Sequence, residues 1–225
     1  MRAGHYAVRV TDTTPATRPA SGTRGQRKER KERTRRAILD AALRLSGETG
    51  LVGLSLRQVA REVGIVPTAF YRHFASIDEL GLALVQESFT SLRAMIRDVR
   101  RGDPPLEEIV DRSVEVLDEH VRGHRAHFSF IARERSGGSA PVRAAVRHEF
   151  ALFERELATD LARLPMDHWS PDDLQVLSRL IVVAMIGVAE EILESPDRER
   201  AAIRRRARTE LLIVIVGALN WRSRD

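Results

Sequence analysis

The stretch from Leu54 to Phe74 constrains the fold more than any other part of the chain. It reads Leu-Ser-Leu-Arg-Gln-Val-Ala-Arg-Glu-Val-Gly-Ile-Val-Pro-Thr-Ala-Phe-Tyr-Arg-His-Phe. Leu56, Val59, Ala60 and Val63 fall at i, i+3, i+4 and i+7, the spacing of one buried face of a short helix. Ser55 is placed to cap its first turn, because a hydroxyl there can accept from an otherwise orphaned N–H. Gly64 supplies the positive φ that a tight turn needs. Pro67 suits the first turn of a further helix, where its missing N–H is no loss. Ala60 is small enough to let the two helices approach closely. The spacing predicts two short helices joined by a tight turn and packed on a preceding helix through Ile65, Phe70 and Phe74.

That packing leaves Val66, Thr68, Ala69, Tyr71, Arg72 and His73 facing outward, short at first and polar later. A helix that reads DNA has this profile, because its early residues meet base edges while later ones reach phosphates. The segment therefore reads as a helix-turn-helix. Tyr71 exposed beside Arg72 and His73 is poorly explained by water alone and well explained by a phosphate backbone. The plainer alternative is a three-helix cluster with an uncommitted surface.

Charge points the same way. Residues 1 to 76 carry 15 basic and 6 acidic side chains, whereas residues 77 to 225 carry 22 basic and 26 acidic. Lys28 and Lys31 are the only lysines; every other basic side chain is arginine, whose planar fork suits phosphate and base edges. A basic first part on a mildly acidic remainder implies a polyanion partner for the first part alone.

The rest of the chain reads as helix. Residues 1 to 26, rich in Thr, Pro, Ala, Gly and Arg without periodicity, read as a disordered basic tail. From Arg27 a basic run leads into a helix with Ile38, Ala41, Ala42 and Leu45 on one face, closed at Thr49-Gly50. Ile77 to Ile96 forms a longer helix opening at Asp78-Glu79, and Arg101 to Pro105 is a break. Further helices are expected at about 106–120, 125–134, 141–163, 171–194 and 198–222, punctuated by Gly and Pro. No strand-like alternation occurs. The expected architecture is all-α, with a helix-turn-helix domain at 27–76 and a six-helix ligand-binding and dimerisation domain at 77–225.

With this much read from the residues, the chain resembles the TetR family of bacterial transcription regulators. Pro-Thr-x-Phe-Tyr-x-His-Phe at 67 to 74 carries the resemblance, which extends over everything after about residue 27. It implies a homodimer in which each recognition helix enters a major groove of a two-fold symmetric operator. By position it implies DNA contacts from Thr68, Tyr71 and His73, phosphate contacts from Ser55 and Arg57, and arm contacts from Arg33 and Arg36. Val66, Ala69 and Arg72 complete the candidate DNA face. Where the family commonly has Lys two residues after the Phe, this chain has Ser76, so that phosphate contact is not carried over.

Within the family, Ser55 to Ile65, Asp78 to Leu82, Arg133 to Gly137 and Val142 to Val146 resemble the FabR/DesT group. That resemblance implies repression of unsaturated fatty acid synthesis or desaturase genes, with long-chain acyl-CoA or acyl-ACP as effector; acyl-CoA is the effector expected here. An acyl thioester site needs an apolar slot between helices and cations at its mouth. Phe128, Phe130, Ile131, Phe150, Phe153 and Met185 are candidates for the slot, and Arg133, Arg135, Arg143 and Arg147 for the mouth. The alternatives are simple helical core for the former and pairing with Glu134, Glu149 and Glu154 for the latter. A third is a buried ionic hinge at Arg133-Glu134-Arg135. A drug-like or other small hydrophobic effector is the rival within the same class; a lipid carrier whose basic end sits on an anionic membrane is the rival outside it.

Residues 180–189 and 211–219 are apolar nearly all round and cannot face water. They predict either a four-helix dimer bundle, with Gly187 and Gly217 allowing close approach, or a buried monomer core. His120, His124 and His127 share helical spacing that could suit a metal, but Gly123 interrupts the helix, and the expectation is no metal and no cofactor. Zero cysteines exclude disulfides and thiolate catalysis. No nucleotide loop, His-Glu-x-x-His or nucleophile elbow is present, so no enzyme is expected. The apolar runs fall short of a membrane span and the first thirty residues lack an apolar signal core, which together lead to the expectation of a cytoplasmic protein.

Overall fold

The computed structural model describes residues 22–100, 106–163 and 169–223. Among these, nine α-helices occur in the order α1 (Gly22–Thr49), α2 (Leu56–Val63), α3 (Pro67–Phe70), α4 (Ile77–Arg100) and α5 (Leu106–Gly123). They continue with α6 (Arg125–Gly137), α7 (Ala140–Leu161), α8 (Pro171–Glu194) and α9 (Arg200–Leu219), the last preceded by a single 3-10 turn, Asp197–Glu199. The all-α expectation holds.

α1 starts earlier than the apolar pattern placed it, at Gly22 rather than Arg27. Residues 26–36 are almost entirely Gln, Arg, Lys and Glu, all strong helix formers. Glu29 stands four residues before Arg33, the favourable order for a helical ion pair. Helix therefore extends where there is nothing to bury. The part of the expected tail before residue 22 lies outside the described residues, as does the expected break at 101–105.

Local chemistry fixes the first three helices. Ser55 is extended (φ −103°, ψ 143°) and its Oγ accepts from the Gln58 N–H at 3.1 Å. Gly64 has φ 73°. Its N–H reaches Arg61 O at 3.2 Å, and that of Ile65 reaches Ala60 O at 2.9 Å. This pair of bonds closes α2 in a Schellman motif, which requires a left-handed residue. Gly50 is left-handed too (φ 71°) and ends α1 with a single bond, its N–H donating to Ser46 O at 2.9 Å. Ser76, in place of the family's Lys, begins α4: its Oγ accepts from the Glu79 N–H at 3.1 Å, and Glu79 Oε2 accepts from the Ala75 N–H at 2.6 Å. This is close to a capping box, so Ser76 has a structural task.

One contiguous set of buried side chains runs from Ile38 on α1 to Leu211 on α9. Phe70, Phe74, Phe89 and Phe130 are its largest fully buried members, each worth on the order of 1.5–3 kcal/mol against exposure. The helix-turn-helix is not a separate bead on this core. Leu51, in the turn after α1, is buried against Gly81 of α4. A Cβ at Gly81 would run into Leu51 Cδ2 and lie 2.8 Å from Val142 Cγ2 of α7. Three elements thus close on one missing side chain. On the opposite flank Arg200, Arg204 and Arg208 of α9 pair in turn with Asp118, Glu115 and Asp111 of α5. Asp118 is fully buried there and also takes Arg122 at 2.8 Å.

Candidate nucleic-acid interface and internal cavity

α3 is only four residues long and continues as a turn through His73. Phe70 and Phe74 point inward and are shut off from water. Opposite them Val66 is 64% and Tyr71 56% exposed, and Thr68 and Arg72 are exposed as well. Ala69 and His73 are half-buried. Ser55 and Arg57, at the start of α2, and Arg33 on α1 are exposed.

Three cations of α1 behave differently. Arg33 is open to solvent. Arg35 stacks over Phe74, 4.3 Å from the ring centroid, and donates to His73 O at 3.3 Å. It thereby fixes the end of the recognition segment to α1. Arg36, its side chain 60% exposed, pairs with Glu87 of α4 at 2.9 Å and with Asp40 at 3.3 Å. Those carboxylates satisfy its charge within the protein and make it a tie between α1 and α4. Burial, followed by the charges of Lys31 and Arg35, holds the His73 imidazole below its ordinary range.

The expected cluster at 133–135 divides between two neighbours. Glu134 is buried at 1% exposure, and its Oε1 accepts from the Leu51 N–H at 2.8 Å. Its Oε2 has no partner. Burial pushes its carboxyl above the usual carboxylate range, offset in part by the Leu51 bond and by Arg133. Arg133 is exposed and does not line the cavity; its aliphatic stem lies over Gly50, with Cδ 3.3 Å from where a Cβ would be. That position follows from the left-handed turn at Gly50, which brings the chain under α6. Arg135 points the other way and meets Glu190 of α8 at 2.8 Å. Consecutive residues of α6 thus touch the helix-turn-helix and the interior of the helical domain.

That interior holds a cavity of about 620 Å³, within the range of small-molecule sites. Six of the sequence candidates line it: Phe128, Ile131, Arg135, Phe150, Phe153 and Met185. Leu92, Met95, Ile109 and Leu117 supply the walls from α4 and α5. Phe130 lies in the core instead, Arg147 is exposed, and Arg143 donates to Gly138 O. Apolar spacing alone could not separate these, since core and cavity wall carry the same residue types.

The three histidines do not share one site: the His120 and His124 rings stack with centroids 5.4 Å apart, while His127 turns to α4. His120 Nε2 lies 3.0 Å from Asp98 Oδ2, and His127 Nδ1 lies 3.0 Å from Ser88 Oγ on α4. Among the described residues no group of three His, Cys, Asp or Glu could hold a metal, and no helix is long and apolar enough to cross a membrane.

Two family descriptions match this chain. Residues 38–84 match "Bacterial regulatory proteins, tetR family", and residues 106–216 match "Tetracyclin repressor-like, C-terminal domain". The chain belongs to the TetR family. It is accordingly a DNA-binding transcriptional regulator and not an enzyme, in a family whose members bind operator DNA and dimerise. Solved TetR-like folds agree. A transcriptional regulator of the TerR/AcrR family from Aquifex aeolicus VF5 superposes with TM-score 0.61 at 18% identity, over 80% of this chain and 99% of that one. A transcriptional regulator from Rhodococcus sp. Rha1 gives 0.63 at 18% identity, over 83% and 96%. The fatty acid degradation regulator FadR from Bacillus halodurans gives 0.65 at 14% identity, over 80% and 94%. At these identities the likeness is one of fold.

Two residues of consequence escaped the sequence reading. Gly81 was visible only as part of a motif, because nothing local says that two other elements converge on it. Asp118 is buried between Arg122 and Arg200, and its tie to α9 comes from a partner 82 residues away in the chain, which local spacing does not show.

Proposed function

We propose that this TetR-family protein is a repressor of fatty acid or lipid genes, released or engaged by a long-chain acyl-CoA. The observation that carries the reading is the apolar cavity of about 620 Å³ bounded by α6, the same helix whose Glu134 holds the Leu51 N–H of the helix-turn-helix. A ligand that displaces α6 therefore displaces the DNA-binding unit. The FabR/DesT-like segments supply the lipid assignment, and a fatty acid regulator with the same fold is in keeping with it. The three phenylalanines of the wall favour one alternative, a compact aromatic or drug-like effector.

DNA contacts come from Val66, Thr68 and Ala69 against bases and from Tyr71, Arg72, His73, Ser55, Arg57 and Arg33 against the backbone. Dimerisation uses α8 and α9. Val176, Leu180 and Val183 on the one, and Ile213, Val216 and Leu219 on the other, are each more than half exposed. Nothing lies within 4 Å of where a Cβ would stand on Gly187 or Gly217. A second copy laid on this face would bury it and form a four-helix bundle.

Fluorescence anisotropy on DNA upstream of the protein's own gene tests the reading. Long-chain acyl-CoA should change operator affinity by about tenfold, or about 1.4 kcal/mol, while free CoA does nothing. Tight DNA binding indifferent to every acyl-CoA, but answering to small aromatics, would transfer the assignment to the alternative.

A further inference from the structure

Among the described residues, the cavity wall is apolar apart from Ser113 and two arginine–carboxylate pairs. Arg135 on α6 and Glu190 on α8 meet at 2.8 Å, with side chains 36% and 34% exposed. Arg163, just beyond α7, lies 3.8 Å from Asp160 and is 77% exposed. Among the described lining residues, two cations stand against two anions. Among the described residues, the Arg135–Glu190 pair is the one about two-thirds withdrawn from water on both sides.

We propose that this wall selects ligands whose polar group is uncharged (alcohol, ester, thioester or amide) over the carboxylate of the same chain length, and that Glu190 is the residue that selects. The inference rests on the cavity being the effector site. A carboxylate arriving at Arg135 meets a guanidinium already engaged by Glu190. Two like charges held around one cation repel more strongly here than in water. An ionised head group without a cation of its own also loses hydration that nothing replaces. A neutral carbonyl or hydroxyl needs only one of the five guanidinium N–H donors and leaves the ion pair intact. The same wall without Glu190 would be a carboxylate site.

The test is displacement of the neutral dye Nile red from the full-length protein by 1-dodecanol and by dodecanoate, near neutral pH and below micelle-forming concentrations. Wild-type protein should release dye to dodecanol at a concentration about tenfold lower than to dodecanoate, a difference of about 1.4 kcal/mol. Glu190→Gln keeps an acceptor for Arg135 but removes the charge. It should tighten dodecanoate by about tenfold while dodecanol moves by less than about threefold. Glu190→Ala, checked for native circular dichroism, should shift the ratio the same way. Equal potency of the two compounds on wild type, or an unchanged ratio in folded Glu190 variants, overturns the inference and leaves the cavity as an effector site. Failure of both compounds to displace the dye overturns the inference together with the reading beneath it.

Discussion

Glu134 joins two parts of the molecule through a single carboxylate oxygen. Alanine there leaves the buried Leu51 N–H without a partner, which should cost about 1–3 kcal/mol; glutamine keeps the acceptor. The pH dependence separates them further. A carboxyl whose folded-state pKa is raised contributes its stability fully below the ordinary value of 4.5 and loses it as pH rises through the raised value. Thermal melts should therefore show wild type falling behind Glu134→Gln as pH climbs from about 4.5 toward neutrality. A constant gap between the two would mean the carboxyl is not perturbed. On the DNA side, Arg72→Ala should weaken binding to all sequences and reduce the salt slope by about one. Tyr71→Ala should weaken it with little change in slope, since a phenol releases no counterion. Thr68→Ala should instead alter site preference, as read by anisotropy on a panel of operator variants. Residues with local tasks, such as Ser55, Gly64 and Pro67, were legible because caps and turns depend on neighbours within a few positions. The partners of Arg36, Arg133 and Glu134 were not, because each lies from 50 to more than 80 residues away in the chain.

Among elements, the turn at Gly64 and the crossing at Gly81 fail in different ways. At Gly64 nothing lies within 4 Å of an added Cβ, so Gly64→Ala meets only backbone strain of about 1–2 kcal/mol. Gly81→Ala forces Leu51 and Val142 apart and should cost about 1–3 kcal/mol of overpacking. It should also loosen the helix-turn-helix against α4, and urea titration of both variants measures the pair. Helix positions in the second half were legible because proline and glycine punctuate an otherwise continuous helical pattern. The start of α1 was not, because a helix of Arg, Lys, Glu and Gln with nothing to bury has no periodicity to read. The two apolar helices were predicted to avoid water, and the structure leaves one face of each bare. Val183→Glu or Ile213→Glu should put a charge into the proposed bundle and yield a monomer by sedimentation velocity at micromolar concentration. A dimer unaffected by both would relocate the interface.

In the whole molecule, three ties hold the helix-turn-helix to the domain that encloses the cavity. Arg36 to Glu87 runs from α1 to α4, Leu51 seats against Gly81, and Glu134 holds the Leu51 N–H. Two of the three end on α4 and one on α6, and both helices line the cavity. A ligand between them can therefore change the orientation of the recognition segment without touching it, and in a dimer would change the separation of two such segments. Such coupling is reciprocal: the factor by which ligand alters operator affinity is also the factor by which operator alters ligand affinity. The decisive measurement is the dissociation constant of an acyl-CoA determined on free protein and on protein saturated with its operator DNA. A shift of about 5- to 150-fold, matching the shift in operator affinity, is the predicted result. Identical acyl-CoA affinities with and without DNA would contradict the account, because the cavity and the DNA face would then be energetically independent.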